Sequence, residues 1–90
     1  MTPSEFTLKQ NYPNPFNPTT VISYQLSGVS FVELAIYDVL GREIAVLVKG
    51  LNNAGVYNVT WDASTNPSGI YFCKLKAGKT VQTIKMVLAK

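Results

Sequence analysis

The feature that most constrains this chain is a two-residue rhythm that breaks off and restarts every few residues. Ile22, Tyr24 and Leu26 alternate with Ser23 and Gln25, Val32, Leu34 and Ile36 with Glu33 and Ala35, and Tyr57, Val59 and Trp61 with Asn58 and Thr60. The rhythm returns in Tyr71, Cys73 and Leu75, and again in Ile84, Met86 and Leu88. Successive side chains of a strand point to opposite faces, so each run has one face to bury and one to leave wet. No stretch sustains the longer period of an amphipathic helix. Phe6-Thr7-Leu8 adds a short opening strand. The run 44–48 is apolar throughout and predicts a strand that is either buried on both sides or carries a bulge.

Turn chemistry fills the gaps. Ser27-Gly28, Asn52-Asn53-Ala54-Gly55, Asn66-Pro67-Ser68-Gly69 and Ala77-Gly78 each separate two runs. Gly41, after Asp38-Val39-Leu40, is expected at positive φ in a tight turn. About seven short strands, with turns roughly every 8–12 residues, predict an all-β antiparallel sandwich.

A chain of 90 residues supports one domain with a thin core. Its 47% hydrophobic and 14% charged residues argue against disorder. The apolar runs fall far short of the ~20 residues that a membrane helix needs. Residues 1–4 read as an initiator methionine and linker stub, residues 5–90 as the domain, with any export signal lying upstream. The net charge of +3 is unevenly placed: residues 1–62 hold all five acids and three bases, whereas residues 63–90 hold five lysines and no acid. Such a tail can mean an anionic partner, but the favoured reading is lysines that guard the outward face and edge of a final hairpin. Nucleic-acid binding is not expected, since Arg42 is the only arginine and the lysines do not cluster.

Residues 11–18, Asn-Tyr-Pro-Asn-Pro-Phe-Asn-Pro, stand apart. Prolines so closely spaced exclude a helix or a central strand and push their neighbours to extended geometry. The segment is expected to be a rigid, extended crossover from one sheet to the other, anchored by Tyr12 and Phe16. A recognition role is compatible with that.

Together with Ile36-Tyr37-Asp38-Val39-Leu40-Gly41-Arg42, Ser68-Gly69-Ile70-Tyr71-Phe72 and Lys85-Met86-Val87-Leu88, this segment resembles the C-terminal sorting domain of the type IX secretion system, type A. The resemblance covers residues 6–90. The implied fold is immunoglobulin-like and similar to that of flagellar hook-capping proteins. One departure is Ala63, where relatives often carry glycine after the aspartate. The implied function is a secretion signal at the end of a larger exported bacterial protein, recognised by the outer-membrane translocon. The route runs through the periplasm to the cell surface or extracellular space. In many members a surface transpeptidase removes the domain and joins the upstream cargo to anionic lipopolysaccharide.

The residues nominated for recognition are Asn14, Pro15, Phe16, Gly41, Arg42, Gly69, Tyr71, Lys85, Val87 and Lys90. No catalytic group, metal ligand or cofactor is expected, and no small-molecule substrate. The carboxylates are scattered and there is no histidine. Cys73, the one cysteine, sits in an apolar strand and reads as a small buried hydrophobe. Asn58-Val59-Thr60 matches a glycosylation sequon but lies mid-strand, as a chance match would. The alternative is a carbohydrate-binding or adhesive sandwich appended to a secreted enzyme. That reading needs an exposed aromatic platform, with Trp61 beside Tyr37. Alternation instead places Trp61 in the core.

Overall fold

The alternating runs become seven strands in a computed structural model that describes residues 6–90. They are β1 (Phe6–Leu8), β2 (Thr19–Leu26), β3 (Ser30–Tyr37), β4 (Glu43–Asn52), β5 (Gly55–Asp62), β6 (Gly69–Ala77) and β7 (Thr80–Leu88). The expected linker, residues 1–4, and the domain's first residue, Glu5, lie outside the described residues. All pairings between the seven strands are antiparallel. One sheet has the order β1-β2-β5 and the other β4-β3-β6-β7. This is an immunoglobulin strand order with the fourth strand moved to the opposite sheet.

The inward faces are the ones that the alternation marks. Ile22, Tyr24, Leu26 and Trp61 from the three-stranded sheet meet Val32, Leu34, Ile36, Tyr71, Cys73, Leu75, Met86 and Leu88 from the other. Tyr57 and Val59 pack against this core at its margin. Tyr24 and Tyr57, directly opposite in register, stack with ring centroids 5.0 Å apart.

β4 corrects one half of an open expectation. It is not buried on both sides: it forms the edge of its sheet, and none of its residues is fully buried. The bulge alternative holds: register shifts fall between Leu34 and Ala35 and between Ile36 and Tyr37, leaving Leu47 and Ile44 as extra residues on β4. Each extra residue resets the alternation. Ile44, Ala45, Leu47 and Val48 therefore all pack on the core, while Val46 and Lys49 are exposed. The β6–β7 hairpin also turns one residue later than expected. Ala77 pairs with Thr80, and Gly78 (φ 61°) with Lys79 forms the two-residue loop.

The proline-rich segment departs further from expectation. It joins β1 to β2 and so starts and ends in the same sheet. It bends rather than running extended, and its three prolyl peptide bonds are cis. Backbone pairing to both sheets holds it in that path. Tyr12 exchanges hydrogen bonds with Val21 of β2 (3.0 and 2.9 Å), whereas Phe16 pairs with β7 (Phe16 N to Val87 O and Ala89 N to Phe16 O, both 2.9 Å). Phe16 is 2% exposed and acts as the expected anchor, but Tyr12 is exposed. Inside the loop, Asn11 Nδ2 donates to Thr20 Oγ1 (2.9 Å), and Thr20 Oγ1 donates to the Pro13 carbonyl (2.9 Å), so both buried polar side chains are satisfied.

Side-chain amides close the seam between β1 and β7, which belong to different sheets. Gln82 accepts from Leu8 N (3.0 Å) and donates to Phe6 O (3.3 Å), taking the place of a neighbouring strand. Asn14 Oδ1 accepts from Val87 N (2.9 Å), and Gln10 Nε2 donates to Lys85 O (2.7 Å). Groups that would invite another chain to pair are thereby occupied.

Candidate recognition surface

The register decides what shares an end of the sandwich. Thr19 opens β2 opposite Asp62, the last residue of β5, and Gly69 opens β6 opposite Leu88, the last of β7. Tyr37 closes β3 between Phe72 and Glu43. Residues 9–18, 38–42, 63–68 and 89–90 are thus gathered at one end. Phe6 lies at the other, beside Leu26 and its partner Gly55.

At the gathered end the turn 38–42 is the most tightly built element. Asp38 N donates to Arg42 O and Gly41 N to Asp38 O, both at 3.0 Å. Asp38 Oδ1 accepts from the backbone of Leu40 and Arg42, each at 2.9 Å, and Oδ2 takes Arg42 Nε at 2.7 Å. The Arg42 backbone N–H, more than the guanidinium, holds the Asp38 carboxyl below its usual range. Gly41 has φ +83°, as the turn chemistry requires. The rigid turn leaves Val39 and Leu40 exposed.

That turn forms a ridge between two depressions. The larger, about 360 Å³, lies between it and the loop into β6, with Leu40, Arg42, Ile44, Pro67, Ile70 and Tyr71 among its walls. The smaller, about 260 Å³, faces the outer surface of the four-stranded sheet near Tyr37, Phe72 and Lys74. The Lys74 ammonium lies 4.8 Å over the Tyr37 ring. Below the end, Trp61 sits between Phe16 (5.6 Å between centroids) and Tyr71 (5.4 Å, edge-on). The Tyr71 hydroxyl donates to the Pro67 carbonyl at 2.6 Å and is raised in pKa, by burial first and by the Asp38 charge second.

The nominated residues all fall at or near this end, in different situations. Asn14, Pro15, Gly41, Arg42, Gly69, Lys85 and Lys90 are exposed, and Val87 is half-buried opposite Ile70. Lys90 is tied down, with its backbone N–H donating to Ser68 Oγ (3.0 Å) and its ammonium to Ser64 O (2.8 Å). Phe16 and Tyr71 are core residues, so any partner meets only the surface they hold in place. Sequence reading passed over Val39, Leu40 and Ile70, although two large apolar residues in a turn are an unusual pairing that could have flagged them. It also missed Gln10, Asn11 and Gln82, whose amide contacts leave no periodic trace.

Other chemistries find little here. Trp61 is 5% exposed, and Tyr37 lies on the outer face of the other sheet, so the two form no shared platform for a sugar. Burial pushes the Cys73 thiol up to about 12, away from a reactive thiolate. No group of three metal-ligating side chains occurs among the described residues.

The family model described as "Secretion system C-terminal sorting domain" matches residues 10–89, nearly the whole chain. The chain belongs to that family. It is a C-terminal sorting signal for type IX secretion, carried on an upstream cargo that it marks for export to the cell surface or extracellular space. The family is one of sorting signals, not of catalysts. No curated protein and no solved structure matches the chain, so the likeness to hook-capping proteins rests on sequence resemblance alone. The four motifs of the sorting domain are the segments that the strand register brings to one end.

Proposed function

We propose that the type IX outer-membrane translocon reads the sorting domain as a folded body, through the end where residues 10–18, 38–42, 66–70 and 85–90 meet. The observation that carries this reading is that four motifs, dispersed along the chain, converge in space. Core packing alone would not require it: the opposite end, with loops 27–29 and 53–54, closes the same sandwich without any of them. Phe6 enters at that opposite end, so a partner grips the motif end without meeting the cargo. The seven exposed nominees are the contact candidates, and Phe16 and Tyr71 support them from beneath. Delivery then runs through the periplasm to the surface, where the family resemblance implies a surface transpeptidase as a second partner.

The test is delivery of a periplasm-targeted fluorescent protein fused to residues 5–90 in a type IX-competent host. Surface fluorescence is expected, and retention in the periplasm overturns the reading. Lys85→Glu, exposed at the motif end, should reduce delivery with little change in melting. Phe31→Ser, at the far end and exposed, should be delivered normally. Deleting residues 87–90 would be uninformative, because Leu88 is in the core and pairs with Phe16.

A further inference from the structure

The larger depression at the motif end has a composition that chooses among ligands. Leu40 is 74% exposed and Val39 65%, at a turn that the Asp38 hydrogen bonds hold rigid, and Ile70 of β6, 41% exposed, lines the same depression. Such a turn normally exposes polar side chains. Arg42 stands at the rim with its side chain 72% exposed. Only its Nε is committed, to Asp38, and its two Nη groups make no hydrogen bond among the described residues. The Asp38 carboxylate has both oxygens occupied and its side chain is 15% exposed, so the rim presents the cation and hides the anion.

Each feature narrows the occupant. A guanidinium fixed through Nε presents its remaining N–H groups as a planar fork, which matches a carboxylate in two-point contact. A sugar would want an aromatic face, and the wall's one ring, Tyr71, is buried with its hydroxyl used by Pro67. A phosphate would want several cations, and Arg42 is the one on this wall. About 360 Å³ accommodates one or two side chains of an extended peptide rather than a helix.

We propose that this groove docks an extended acidic peptide segment of the sorting partner, with one apolar side chain between Leu40 and Ile70 and a neighbouring Asp or Glu carboxylate on the two Nη groups of Arg42. The inference deepens the sorting function proposed above and rests on it. The groove is preformed, so binding orders little of the domain. Affinity for a short segment is weak, and the carboxylate and the apolar anchor contribute separately.

The experiment titrates the isotope-labelled 90-residue chain with capped tetrapeptides that pair Leu, Val or Phe with a neighbouring Asp or Glu, and reads amide shifts. Saturable shifts confined to residues 39–42 and 68–71 are expected. Replacing the peptide's Asp or Glu by its amide should weaken binding about tenfold or more, as for loss of a charge-assisted contact. Arg42→Gln should do the same, and Leu40→Ser should weaken all the peptides without changing the melting curve. The proposal fails if no peptide shifts these amides, or if acid and amide peptides bind alike. Delivery separates this claim from the broader one. If the wild-type fusion reaches the surface and Leu40→Ser and Arg42→Gln follow at the same rate, the groove is not the docking site and the sorting reading stands. If the wild-type fusion stays in the periplasm, the sorting reading itself fails, and the peptide titration still decides the groove.

Discussion

Replacing Trp61 by alanine tests the architecture at its most connected point. The indole is 5% exposed and lies between Phe16, on the proline-rich loop, and Tyr71, at the start of β6. Removing a buried tryptophan costs about 3–5 kcal/mol through lost burial and the cavity left behind. The two ring contacts place this site toward the upper end, since each is worth about 0.5–1.5 kcal/mol beyond area. A chain of 90 residues has about 5–13 kcal/mol of total stability, so the loss is a large share of it. With a urea slope of about 1–1.5 kcal/mol/M, the midpoint should fall by roughly 3 M or more, or the domain should fail to fold. The assay is urea unfolding followed by far-UV circular dichroism, because the substitution removes the only tryptophan fluorophore. Trp61→Phe, keeping a ring between the same neighbours, should recover more than half of the loss. A midpoint within about 0.5 M of wild type for Trp61→Ala would refute the packing of the loop onto β5 and β6.

Gly41→Val should destabilise by about 1–2 kcal/mol, read from thermal melts. A side chain there meets open space, so the cost is that of φ +83° alone, and Gly41→Asn should cost less. Gln82→Ala strands Leu8 N and Phe6 O at the seam and should cost about 1–3 kcal/mol by chemical denaturation, whereas exposed Lys79→Ala should change little. Alkaline pH should destabilise the domain through Cys73. Its thiol stays neutral in the fold up to about 12, while the unfolded chain releases the proton near the ordinary 9.0. The stabilisation is therefore full below pH 9 and is lost toward pH 12, by at most about 1.4 kcal/mol per pH unit. Cys73→Val should flatten part of that slope in melts taken across the range, and the raised Tyr24, Tyr37 and Tyr71 act in the same direction.

Where alternation governs, the fold was legible in the residues. Ile22, Tyr24 and Leu26 face inward in the phase in which they are written, and so do Tyr71, Cys73 and Leu75. The run 44–48 was ambiguous because a bulge erases the two-residue signal, leaving only "apolar", which an edge strand with two bulges and a central strand share. The path of residues 11–18 was misjudged for a different reason. Proline chemistry sets local angles, but the course of the loop is set by its pairing with Thr20 and Val21 at the start of β2 and with Leu88 at the end of β7, which no local pattern announces. The candidate site was half legible. Its motifs name the residues, but which of them turn inward depends on strand order, and Phe16 and Tyr71 proved to be core.

The seam between β1 and β7 has a consequence for when the surface exists. Phe6, Leu8, Gln10, Asn14 and Phe16 each have a partner in residues 82–89, more than seventy positions away. Such pairings close late, since the whole intervening chain must be present and ordered first. A nascent or proteolytically shortened chain lacks the strand that seats Phe16, and with it the ordered loop over Trp61. A receptor that binds only the assembled end would therefore sample the integrity of β7. On the proposed reading, a carrier lacking β7 would present no readable address, because the motif end is assembled only when residues 82–89 have folded back onto residues 6–16.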